Sequence, residues 1–143
     1  MNFDTYITKA NVFLKEIAEE IGEPENKAKA GRVLRAVLHA LRSRLSVEES
    51  IHMIAQLPIL IKGLYVDGWH LTRLNGSLNT FSDFLTEVKK FDGNLGNKDF
   101  NNDRDSLRMI RAVLRVLKKY VSEGEMQHLK VQLPDEIADI ILN

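Results

Sequence analysis

The chain writes one sentence twice. The stretch RAVLHALRSRLSVEESIHMIAQLP begins at Arg35 and returns as RAVLRVLKKYVSEGEMQHLKVQLP from Arg111. One constant shift, with no gap, lays Arg35, Leu38, Leu41, Ser46, Glu49, His52, Gln56 and Pro58 on Arg111, Leu114, Leu117, Ser122, Glu125, His128, Gln132 and Pro134. A slightly shorter shift lays FLKEIAEEIG on FLTEVKKFDG, so the second copy carries a longer loop. Self-similarity of this kind marks a repeated supersecondary unit, and a unit too short to bury its own apolar stripe must share a core with its neighbour. The repeat therefore predicts one 143-residue domain made of two tandem pseudo-symmetric three-helix units. Unit one spans about 4–66, a connector about 67–78, and unit two about 79–143.

Within each unit the apolar period is helical. Tyr6, Ala10, Phe13, Ile17 and Ile21 fall three or four apart. Pro24 fits the first turn of a long second helix, where its missing N–H costs nothing. Leu34, Val37, Leu38, Leu41 and Leu45 stripe that helix. Ser46 with Glu49 reads as a capping box opening a third helix, which Pro58 breaks before ILIKGLY. The second copy repeats the programme. FSDFLTEVKKF is built on Phe81, Phe84, Val88 and Phe91; DGNLGNKDFNND is a loop on turn chemistry; Leu107, Ile110, Val113, Leu114, Leu117 and Val121 stripe the next long helix. Ser122 with Glu125 repeats the box, and Pro134 repeats the break. The expected fold is all-α, a bundle of about six to eight helices around one core.

Composition narrows the functions. Lysine plus arginine equals aspartate plus glutamate at 20 each, so no whole-molecule field draws the chain to nucleic acid or anionic membrane. The absence of cysteine excludes disulfides, thiolate metal sites, iron–sulfur clusters and cysteine nucleophiles. The N-terminus is amphipathic and acidic rather than a basic head before an apolar core, so no signal peptide is expected. The apolar run LPILIKGLYV is broken by Lys62 and Gly63 and is too short to span a bilayer. The expected compartment is the cytoplasm, whose reducing chemistry suits a cysteine-free chain.

Three short motifs occur in order: Leu41 to Leu45 as L-x-x-R-L, Gln56-Leu57-Pro58, and Gly63-Leu64-Tyr65 leading to Gly68-Trp69. In these the chain resembles the bacterial domain-of-unknown-function family 2267 across most of its length. The resemblance implies an all-helical, internally duplicated fold and no established reaction.

Three groups of residues carry candidate chemistry. Glu49-x-x-His52 and Glu125-x-x-His128, with Glu16 and Glu87, match in kind the inventory of a carboxylate-bridged di-metal bundle. At about 100° per residue, Glu16 and Glu87 turn away from their apolar stripes toward water, while Glu49 and Glu125 are taken up by capping. A metal site is thus the least favoured reading, and no cofactor is expected. The polar rows Glu49, His52, Gln56 and Glu125, His128, Gln132 nevertheless exceed what capping needs.

Arg32, Arg35, His39 and Arg42 form a stripe opposite the leucines, and Arg104, Arg108, Arg111, Arg115 and Lys118 form a second. Exposed stripes of this kind can hold phosphates of nucleic acid or anionic lipid. A solvated face paired with acids such as Glu48, Glu49 and Asp105 is the stronger reading, and without an interleaved aromatic platform nucleic acid is disfavoured. Tyr65 and Trp69 sit in GLYVDGW, where they either pack at the junction of the units or form an aromatic binding patch. No glycine-rich phosphate loop or G-x-S-x-G elbow calls for an enzyme. The expected role is a non-enzymatic helical module that engages another protein or itself, with phosphate binding as the alternative and a metal site third.

Overall fold

The computed structural model describes residues 2–70 and 79–142, and folds them into nine α-helices, with no strand among the described residues. The helices are α1 (Phe3–Glu20), α2 (Lys27–Arg42), α3 (Val47–Ile54), α4 (Ile59–Val66), α5 (Phe81–Phe91), α6 (Gly96–Asp99), α7 (Asp103–Tyr120), α8 (Glu123–Gln132) and α9 (Asp135–Ile141). A 3₁₀ turn, Gly93–Leu95, leads into α6. All-α is the fold that the apolar periods predict. The breaks at Pro58 and Pro134 give α4 and α9 as expected, and the count stands one above eight because the expected loop DGNLGNKDFNND folds into α6. Its Phe100 is fully buried, and burying one aromatic ring is enough to order a short segment.

Local chemistry sets the helix boundaries. Asn26 and Asn102 N-cap α2 and α7, each accepting from a backbone N–H three residues on. Ser46 and Ser122 do the same for α3 and α8, both at 3.1 Å. Pro58 and Pro134 stand at the N-caps of α4 and α9. Gly22, at φ +80, ends α1: its N–H reaches Glu19 O and the Glu23 N–H reaches Ala18 O, a pair of bonds that needs a left-handed residue. This turn places Pro24 before α2 rather than in its first turn, which corrects the predicted start. Residues 71–78 of the predicted connector lie outside the described residues.

One continuous apolar core draws side chains from α1 through α9, α6 excepted. The first helix of each half packs on the long helix of the other: α1 against α7, and α5 against α2. The two long helices touch each other, and α3 packs against α8. This exchange leaves α2 enclosed. Besides its leucines and valines it buries His39 and Arg42, the polar face that was expected to meet solvent.

Candidate functional site at the seam between α3 and α8

Capping was expected to occupy Glu49 and Glu125. The serine half of each box forms, but the carboxylates turn inward. Glu49 is 8% exposed and Glu125 is 6% exposed, and Oε1 of each is buried without a hydrogen-bond partner. At Ser122 the backbone N–H that a capping glutamate would take is held by Gln56 Oε1, at 2.6 Å from the opposite half. A complete capping box does form at Thr80 and Asp83 of α5, where the acid is not needed elsewhere.

The two polar rows left over from the sequence therefore face each other across the seam. Ligand atoms of Glu49, Glu125 and His128 all lie within 4.8 Å of one another. An open cleft of about 350 Å³ runs beside them, lined by Ser46, Glu48, Glu49, His52, His128, Val131 and Gln132. His52 and His128 are exposed at its rim, as the sequence predicts. Burial, and then the neighbouring Glu49 carboxyl, push the Glu125 carboxyl up to about 7. Two carboxyls this close do not readily ionise together.

The rest of the di-metal inventory stays apart. Glu87 pairs with Arg44 at 2.8 Å, and Glu16 accepts from the Tyr120 hydroxyl at 2.7 Å and lies near Lys119. Both were expected to point to water. Each is instead partly buried, because a helix of the other half covers that side. Three ligands gather, not six.

The arginine stripe of α2 is largely covered, whereas Arg104, Arg108, Arg115 and Lys118 of α7 stay exposed. Most members of the two stripes hold the carbonyls that helix C-termini leave unpaired. Arg42, only 7% exposed, donates to the carbonyls of Tyr65, in the last turn of α4, and of Asp67, its C-cap. Arg35 donates to Phe91 O, Arg108 to Ile21 O, and Arg111 to Ile140 O with two nitrogens. Arg32 is bidentate on Asp99, and Arg115 lies 3.6 Å from Glu20. Arg104 and Lys118 are exposed. His39, assigned to the stripe, is buried with Nε2 2.8 Å from Leu64 O, and burial drops its ring to about 4. Tyr65 is fully buried, with its hydroxyl 2.6 Å from Ser50 Oγ, so it offers no binding surface. Trp69 packs edge-on against it at 5.8 Å and is partly buried.

One acidic pair escaped the sequence reading. Asp92 is pushed up to about 7 by burial and by Asp99, which Arg32 neutralises. No repeat marks this pair, since it belongs to the longer loop of the second copy.

The family described as uncharacterized conserved protein (DUF2267) matches the chain over residues 10–140, and the chain belongs to that family. No curated protein matches it significantly.

Proposed function

We propose that this DUF2267 member is a non-enzymatic helical interaction module that recognises a cationic group at the α3–α8 seam. One observation carries the reading: equivalent glutamates from the two sequence copies are buried side by side, each with an oxygen that nothing satisfies. An unsatisfied buried acceptor costs about 1–3 kcal/mol, more when charged, and adjacent carboxylates repel. The fold does not require that cost. Helices α3 and α8 already pack on each other, with Met53 and Leu129 in the core and Gln56 Oε1 accepting from the Ser122 N–H. A cation would relieve both penalties. The hydroxyls of Ser46 and Ser122 are occupied as caps, which favours binding over nucleophilic chemistry.

Thermal melts at pH 7.5, with the wild type and a Glu49→Gln/Glu125→Gln variant, test this against spermidine, a basic peptide and divalent metal ions. At least one class should raise the wild-type Tm and leave the variant unmoved. No response to any of them would overturn the proposal.

A second observation favours a protein partner. A groove of about 450 Å³ lies among Thr8, Lys9, Val12, Gln56, Leu57, Pro58 and Tyr120. On α1, Phe3 and Ile7 are also exposed, at 68% and 49%. Such a groove suits one apolar anchor residue of a partner. A partner captured by the wild type and lost by Val12→Glu at unchanged Tm would support it; identical captures would not. Phosphate binding has less support, because Arg32, Arg35, Arg42, Arg108 and Arg111 already have acceptors, which leaves it the exposed Arg104, Arg115 and Lys118. Among the described residues, no helix is long and apolar enough to cross a membrane.

A further inference from the structure

We infer that the cationic group is a single divalent metal ion of the zinc, manganese or ferrous class, bound by Glu49, Glu125 and His128. The inference rests on the seam being the recognition site and goes on to name the ligand.

Geometry comes first. In a tetrahedral zinc site nitrogen and carboxylate oxygen lie at about 2.0–2.2 Å from the ion, which sets ligand atoms about 3.4 Å apart. The three candidate atoms lie within 4.8 Å of one another, and rotation of the glutamate and histidine side chains would draw them to that spacing. Glu125 and His128 are three residues apart on α8, which puts them on one helix face, and Glu49 meets them from α3.

The donor set then selects the metal. Calcium and magnesium prefer all-oxygen shells, whereas an imidazole nitrogen beside carboxylates suits zinc, manganese or ferrous iron. Three protein ligands leave further positions to water, for which the adjoining cleft has room. With Glu16 and Glu87 engaged elsewhere, no second set of ligands gathers at the seam among the described residues, so the site takes one ion.

Charge provides the second observation. Both glutamates are more than nine-tenths buried, each keeps an Oε1 without a hydrogen-bond partner, and each gives a carboxylate oxygen to the cluster. A 2+ ion would balance two ionised carboxylates. Glu48 and His52 on α3, which also border the cleft, are not ligands in this scheme.

The test is calorimetry on the full chain after chelator treatment, titrated with zinc, manganese or magnesium ions alone. Zinc or manganese should bind at one ion per chain, tighter than magnesium. Glu49→Gln, Glu125→Gln and His128→Ala should each weaken binding by at least about tenfold, whereas His52→Ala and Asp92→Asn should leave it unchanged. Melting curves verify that each variant folds. No zinc or manganese binding, two ions per chain, or binding that survives loss of both glutamates would each overturn the inference. If spermidine or the basic peptide stabilises the protein and metals do not, only the metal assignment falls. If no cation acts at the seam, both readings fall.

Discussion

The two sequence copies solve one problem with different residues. In each half a long helix passes beneath the end of a short one and must cap a free carbonyl there. In the first half His39 of α2 meets Leu64 O; in the second half the matching carbonyl, Ile140 O, receives Arg111 of α7. Arg35, the copy of Arg111, is left to reach across to Phe91 O at the end of α5. The divergence follows burial. Helix α5 lies on α2, and the His39 ring packs edge-on against Phe91 at 5.7 Å. The equivalent of His39 on α7 is Arg115, which is exposed, as is Lys118 where α2 carries the buried Arg42. Repeated sequence therefore does not imply repeated environment. The seam is the contrary case: there Glu49 and Glu125 keep both identity and burial, and two copies become one site.

Variants at matched positions sharpen this contrast. The largest effect should come from Arg42→Ala, which strips the donor from two carbonyls and removes a buried stem. Urea denaturation should register a loss of about 2–4 kcal/mol. The matched Lys118→Ala should stay within about 0.5 kcal/mol, and equal losses would break the comparison.

Next comes His39. Its ring is held neutral, at about 4 against an ordinary 6.5. A depressed pKa contributes stability that is complete above the unfolded value and is lost as pH falls toward the folded one. Stability should fall by about 1–3 kcal/mol between pH 6.5 and 4. His39→Gln should flatten the part of the slope that the histidine contributes.

The sign reverses for Glu125, whose pKa is raised to about 7. Its stability is complete below about 4.5 and is lost as pH rises through 7. In chelator, Glu125→Gln should therefore stabilise the protein by about 1–2 kcal/mol at pH 8 and by nothing measurable at pH 4. A loss at pH 8 would mean that the carboxylate is paired after all. The smallest effect should be Arg115→Ala, because the exposed pair with Glu20 is worth less than about 0.5 kcal/mol by the same measurement.

Much of the helical layout was legible in the chain itself. Stripes three and four apart, serine caps and helix-breaking prolines act through neighbours within one turn, so their consequences follow from local order. Where reading failed, the partner lay far away in sequence. Glu49 follows Ser46 in a good capping-box pattern, and nothing local says that Gln56 will take the N–H at Ser122 or that Glu125 will face Glu49. The loop after α5 carries turn residues, yet it folds because Phe100 finds the core and Asp99 finds Arg32. The candidate site was legible only as an excess, two polar rows with no assigned work.

By itself, then, the sequence determined most of the helical segments, the boundaries marked by serine and proline, and that both copies carry the same glutamate and histidine. Only the tertiary structure decided which polar faces would be covered. Packing α5 on α2 buried one stripe, while the matching stripe of α7 stayed in water; packing α3 on α8 brought two acids together. The physical reason is one of range. Helix periodicity and capping are set within a few residues, whereas the cost of burying a charge, and the ligand that can offset it, depend on what the far half of the chain places beside it.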